Sequence, residues 1–348
     1  MSFESIKNIF LYIIQRIVLT IIALVVLSFI TFSLSYIVPG DAALVAAGPS
    51  AGKEKIEQLR AEMGLNLPFY EQYFVYLTKL SKGDLGKSWF THQPILNDIK
   101  DLLPASAELV FIAMLFNIII AIPLGVLAAT KRDTKTDFSI RILVMIGAGI
   151  PIFWLGLLLQ HFLASETGLF PIAGRLSFSN RNFEGTTGFL FFDSIVQGEW
   201  GVFWDSIWHI ILPAFTLSVL FIAVITRTTR STLMKALEED FITLARSKGI
   251  SESRVIIRHA LRNALVPTVT ILGMQVGWMM GATVLVEEIF GRPGIGKYAV
   301  KAVTQSDIHG VVGVVLIVGI IFIISNLIVD IIHLFLNPRL RKNSLGNL

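Results

Sequence analysis

Six histidines, His92, His161, His209, His259, His309 and His333, are the side chains here best suited to acid–base or metal chemistry. No two stand four residues apart, so no helix face offers a paired metal site. The chain has no cysteine, which excludes disulfides and thiolate ligands. The metalloprotease pattern HExxH, the serine-hydrolase elbow GxSxG and the phosphate loop GxxxxGKS/T are all absent. The chain therefore reads as non-enzymatic, and any ATP used alongside it is hydrolysed by another chain. Two carboxylates, Glu108 and Asp330, fall inside apolar runs, where an acidic group is a functional candidate by default. Both lie near the end of a run, where a helix-end role fits equally well. No string of acidic or histidine residues crosses the apolar runs as a proton relay would, which disfavours a proton-driven transporter.

The elements that carry these residues are membrane helices. Of 348 residues 54% are hydrophobic and 16% charged, against roughly 25% charged in a soluble domain, and the mean hydropathy is +0.71. A spanning helix needs about 20 mostly apolar residues. Six runs qualify, near Phe10–Val38, Ala105–Ala129, Ile140–Ala164, Ile207–Thr226, Ala264–Val286 and Val311–Leu336. The first is too long for a signal-peptide core and lacks a small-x-small cleavage site, so it reads as a retained span. The expected fold is an all-α, polytopic membrane bundle of six transmembrane helices. Its parts are residues 1–38 with the first span, a 39–104 loop, a 105–336 core and a 337–348 tail.

The basic residues orient the bundle. The 131–141 loop has four basic and two acidic residues, 227–262 has eight and four, and the tail after Leu336 has three and none. The 165–206 loop has two basic and five acidic residues. This predicts both termini and the 227–262 loop in the cytoplasm. The net charge of +4 is modest and points to no nucleic-acid partner.

Pro123, Pro151, Pro213 and Pro267 fall within or at the ends of the runs, where they bend helices. Gly273, Gly277 and Gly281 line one face of the fifth run, which suits either close packing or a sliding face. In the 39–104 loop, "GKEKIEQLRAEM" and "LPFYEQYFVYLTKL" read as extracytoplasmic amphipathic helices broken at Gly64 and Pro68. The second carries Phe69, Tyr70, Tyr73, Phe74, Tyr76 and Leu77 for the membrane interface. Together they form either a docking mouth or a plain cap.

One polar stretch interrupts the apolar pattern: "EEDFITLARSKGISESRVIIRHALRNALVP", residues 238–267. Asp240 is a candidate N-cap for a short helix from Phe241, with Phe241, Leu244 and Ala245 sharing a face. Gly249 suits the left-handed residue that ends a helix, and Ser251 or Ser253 caps the next. There, Arg254, Arg258 and Arg262 make a basic stripe. The product is a helix–turn–helix, either a docking element or a membrane-surface helix.

This stretch resembles the cytoplasmic coupling loop, the EAA loop, of ABC-importer permeases of the oligopeptide/dipeptide/nickel branch, where A-R-x-K-G and R-N-A-L-x-P recur. Similar segments run through the chain in the family's order: "RIVLTIIALVVLSFITFSLSYIVPGD", "MGLNLPFYEQYFVYLTKLSKGDLGKSW", "LPASAELV", "GIPIFWLGLLL", "VLVEEIFGRPGIGKYAVKAV" and "NLIVDIIHLFLNPRLR". Thr243 and Leu244 stand where the general consensus has Glu and Ala, Asn337 replaces a common Asp, and the segment 174–206 is longer than usual.

The resemblance implies a permease that passes peptides, with nickel or a metal chelate as the alternative cargo. A stand-alone transporter or channel fits less well. It implies an ATPase-contact region of Asp240, Phe241, Thr243, Ala245, Arg246, Lys248 and Gly249. It also implies a second homologous permease in a heterodimer, two ATPase subunits holding ATP and Mg, an extracytoplasmic binding protein, and a bacterial or archaeal cytoplasmic membrane. No cofactor or metal is expected on this chain.

Topology is directly testable in a cysteine-free chain. With Ser179→Cys and Ser251→Cys introduced singly, an impermeant thiol reagent on intact cells is expected to label position 179 alone. Labelling at 251 alone would invert the orientation.

Overall fold

The computed structural model describes residues 3–37, 52–62 and 64–336. Val38, the 39–51 part of the first loop, and the tail with Asn337 lie outside the described residues. Among those described there is no strand, and the architecture is a helical bundle. Among the described residues five helices are long and apolar enough to cross a membrane, and a bent pair of helices makes six when the pair is taken as one span.

Helix α1 (Phe3–Ile37) is the first span. Helices α2 (Lys53–Glu62) and α3 (Phe69–Ser81) follow where the amphipathic pattern predicts them, with Gly64 at φ +72° in the break between them. The aromatic face of α3 divides its work. Tyr70 and Phe74 remain exposed, whereas Tyr73 and Tyr76 turn onto α1. Tyr73 Oη lies 3.0 Å from Ser28 Oγ, Tyr76 Oη lies 3.3 Å from Thr31 Oγ1, and Phe32 stacks among them. Along the rest of α1, Ile21, Val25 and Ile30 are exposed, as suits a helix that meets lipid.

Helix α4 (Ile95–Thr130) holds a π-helical turn at Asn117–Ala121, two residues before Pro123. An i→i+5 turn rearranges the backbone bonds upstream of a proline, so Pro123 is accommodated without breaking the helix. Pro213 and Pro267 likewise lie inside continuous helices, α8 (Trp200–Leu237) and α10 (Glu252–Ile289). Pro151 behaves differently. The expected span Ile140–Ala164 is divided between two helices, α5 (Lys135–Gly149) and α6 (Ile152–Glu166), bent by 99°. Proline disfavours helical backbone at its predecessor, and here Ile150 is extended at φ −83° and ψ 125°.

The two 38-residue helices α8 and α10 form the centre with α4. At about 1.5 Å per residue each reaches roughly 57 Å, well beyond a hydrocarbon core of about 30 Å. The fourth span therefore runs past Thr226, through Thr229 and Leu233, as an intact helix. Leu109, Val110, Ala113, Ile210, Leu217, Met279 and Phe290 fill the principal core. At the start of α8, Trp200, Trp204 and Trp208 are exposed at intervals of four and form an interfacial anchor.

Between α6 and α8 lie α7 (Leu190–Val196) and a loop held by two carboxylates, buried Asp193 and half-buried Asp205. Asp193 accepts bonds from Thr187 N and Gly188 N, and Asp205 from Ser177 and Asn180. Burial raises the Asp193 carboxyl, but the donors from Thr187, Thr186 and Gly188 outweigh it and leave it below the usual range. The long loop is thus an ordered cap. After α10 come α11 (Ile295–Thr304) and the last span α12 (Ile308–Leu336).

Two of the three stripe glycines face α12. A Cβ on Gly273 would strike Val329 and one on Gly277 would strike Phe322, whereas Gly281 has open space. The stripe is a packing seam over two turns. Gly277→Val is expected to cost at least about 1–3 kcal/mol by overpacking, and Gly281→Ala to be tolerated. Thermal unfolding of the detergent-purified chain measures both, and equal midpoints would contradict the seam.

Candidate functional site

At the basic end, α8 turns into a short helix, α9 (Asp240–Ser247). Glu239 occupies the N-cap position at φ −75° and ψ 149°, with no side-chain cap bond, so the helix begins one residue earlier than an Asp240 cap predicts. Gly249 ends it in the left-handed region at φ +75°, as expected, and its N–H donates to Arg246 O at 2.9 Å. Ser251 sits at the N-cap of α10, again without a side-chain bond.

The faces of α9 differ from the sequence expectation. Ala245 does not share an outward face with Phe241 and Leu244. Ile242 and Ala245 are buried, at 0% and 6% exposure. They pack with Ala129 of α4, Leu233 and Ala236 of α8, and Val255, Ala260 and Ala264 of α10. Phe241 and Leu244 point outward, at 40% and 56% exposure. Thus Ala245 is part of the chain's own interior and is withdrawn from the expected contact surface. Asp240, Thr243, Arg246, Lys248 and Gly249 are exposed around the apolar pair. Leu244, which the sequence places on one face with Phe241 and Ala245 but which the expected contact region leaves out, is the residue sequence reasoning underrated.

Two ion pairs steady this helix. Arg246 clasps Glu252 at 2.6 and 3.1 Å, bridging the Gly249 turn. Arg132 reaches Glu238 at 3.0 Å and links the α4–α5 loop to the start of α9. Both pairs are exposed and contribute direction more than stability. The neighbouring Asp137 is fully buried and takes Arg230 bidentately, both bonds at 2.7 Å. The basic stripe Arg254, Arg258 and Arg262 is exposed beside α9, although a π-helical turn runs through Val255–Ala260.

At the opposite end a second polar cluster appears that no local pattern announced. Glu108 pairs with Arg175 at 2.8 Å and also accepts Phe191 N. Glu287 accepts from Ser106 Oγ and from Lys297 N at 2.9 Å, tying α4, α10 and α11 together. Arg292 is 2% exposed, and burial, reinforced by the like charge of Arg175, lowers its pKa to about 10, so it stays charged at neutral pH. The other carboxylate noted in the sequence, Asp330, pairs with Arg16 of α1 at 3.1 Å. Both in-span carboxylates are therefore charge-paired. Among the described residues no three histidine, aspartate or glutamate side chains gather as a metal site.

Fold and surface define a class: an all-α integral membrane protein that presents a short, braced helix with two exposed apolar side chains at one end. Within that class the chain belongs to the binding-protein-dependent transport system inner membrane components, matching that family over residues 121–342 and its N-terminal region over 9–110. It is similar to the dipeptide transport system permease protein DppB of Alkalihalophilus pseudofirmus, 37% identical over 95% of this chain and 99% of that one. It is 38% identical to DppB of Escherichia coli, over 95% of this chain and 98% of the relative. The di/tripeptide transport system permease protein DppB of Pseudomonas aeruginosa is 38% identical over 90% of this chain and 93% of its own.

The two faces of α9 separate folding from contact. Ala245→Asp buries an unpaired charge, which costs several kcal/mol, and is expected to abolish recovery of monodisperse protein. Leu244→Asp is expected to leave yield and thermal midpoint within about 0.5 kcal/mol of wild type. Size-exclusion chromatography and thermal unfolding read both, and normal folding of Ala245→Asp would refute the buried assignment.

Proposed function

We propose that this chain is the transmembrane permease subunit of an ATP-driven importer, and that it passes peptides delivered by an extracytoplasmic binding protein. The carrying observation is near full-length similarity to permeases named for dipeptide and di/tripeptide transport. The chain sits in a bacterial or archaeal cytoplasmic membrane with both termini and α9 inside; the excess of Lys and Arg in the 131–141 and 227–262 segments supports that orientation.

Its partners are a second, homologous permease forming a heterodimer, two ATPase subunits that bind ATP and Mg, and the binding protein. The chain contributes no catalytic group. Phe241 and Leu244 enter a cleft on an ATPase subunit, with Asp240, Thr243, Arg246, Lys248 and Gly249 at its rim. Ala245 acts beneath that contact. ATP-driven closure displaces α9, and because Ile242 and Ala245 are embedded between α4, α8 and α10, the ends of three spans move with it.

Two measurements test this. Leu244→Asp, in a chain that still folds, is expected to weaken co-purification of the ATPase subunits by about 2 kcal/mol or more, as for a central interface anchor, and to abolish ATPase stimulation by loaded binding protein. Wild-type assembly and stimulation would remove α9 from the interface. A deletion strain requiring an amino acid is expected to fail on dipeptides as its source and to recover with the wild-type gene. Normal dipeptide growth with lost nickel uptake would reassign the cargo.

A further inference from the structure

Beside Asp137, between α5 and the basic end of α8, lies a cavity of about 540 Å³. Its wall includes Phe138, Ile142 and Met145, and its mouth carries Arg141, Arg227 and Arg230. Arg230 is committed to Asp137 through two bonds of 2.7 Å. Arg141 approaches the same carboxylate only at 3.5 Å, half-exposed. Arg227 is exposed and makes no ion pair among the described residues. Two of the three guanidinium groups therefore share one carboxylate, the third has none, and the mouth keeps an excess of positive charge. Further along α5 from the loop than Arg141 the surface is apolar and open, with Leu143, Met145 and Ile146 each more than half exposed, while Phe138, also exposed, lies on the loop side.

We infer that this cavity binds an anionic phospholipid, its phosphate between Arg141 and Arg227, its glycerol region against Phe138 and one acyl chain along Met145 and Ile146. Guanidinium groups match phosphate oxygens in geometry and charge. Basic pockets between membrane helices suit anionic headgroups. A free phosphate would use the arginines and leave the apolar wall uncovered. A helix from another subunit would have to carry acidic side chains into an apolar contact to neutralise two guanidiniums, which is costly at membrane depth. A phospholipid supplies both chemistries in one molecule, in the order in which the cavity presents them. The inference rests on the multi-pass reading of α5 and α8 and is independent of cargo.

The test uses the full chain co-expressed with the permease and ATPase subunits that purify with it. Native mass spectrometry is expected to show phosphatidylglycerol retained through detergent purification. In nanodiscs of phosphatidylcholine doped with phosphatidylglycerol, the double substitution Arg141→Gln/Arg227→Gln is expected to weaken phosphatidylglycerol binding by about 30-fold, from roughly one charge's worth of attraction per arginine. The Asp137–Arg230 pair remains intact in that variant. Should the double variant not fold, Arg227→Gln alone is expected to weaken binding about fivefold. A photoreactive benzoylphenylalanine in place of Phe138 is expected to crosslink to lipid. Equal phosphatidylglycerol binding by wild type and variant, or crosslinking of position 138 to a second protein, would overturn the assignment.

Discussion

The apolar contact beneath α9 is the joint on which the basic end of the bundle depends. Ile242 and Ala245 close a cluster to which α4, α8 and α10 each contribute, so an eight-residue helix is fastened to three spans at once. A helix of that length has no stability of its own in water. Its persistence, and the direction in which Phe241 and Leu244 point, both come from this burial. The residues that face outward and the residues that hold them in place alternate along one short sequence, so the outer surface can change without disturbing the fold and the inner one cannot.

Charge pairing completes what apolar packing begins. Each end of the bundle holds an acidic residue from one element against an arginine from a distant one: Asp137 with Arg230, and Glu108 with Arg175. A buried pair adds little net stability, yet removing one partner strands the other at a cost of about 3–5 kcal/mol. Such pairs specify which elements meet. Glu108 also accepts from Phe191, and Arg175 donates to Gly188 O at 2.9 Å, so one ion pair positions the second span, the cap loop and α7 together.

Local signals made much of this legible in the sequence. The apolar runs marked the spans, Gly249 marked the end of α9, and the breaks near Gly64 and Pro68 separated α2 from α3. Tertiary choices were not legible. With apolar residues at 241, 242, 244 and 245, a short helix has two consistent inward faces, and only the positions of Leu233, Val255 and Ala264 decide between them. Pro151, Pro213 and Pro267 look alike as letters. Two are absorbed in continuous helices, and one ends a helix because the chain beyond it takes another direction. The Glu108–Arg175 pair joins residues 67 apart, beyond the reach of any periodicity.

The bend at Pro151 has a geometrical consequence. Each of its arms, Lys135–Gly149 and Ile152–Glu166, is about 22 Å long at about 1.5 Å per residue, too short to cross a core of about 30 Å alone. Joined at 99°, their far ends stand about 29 Å apart. Thirty residues thus achieve the reach of about twenty in a straight helix, and the surplus becomes lateral width. This crossing takes up more membrane area than its neighbours. Opening or closing the corner by a few degrees trades width for height, so the outline of the bundle in the plane of the bilayer can change at one residue while both arms stay helical.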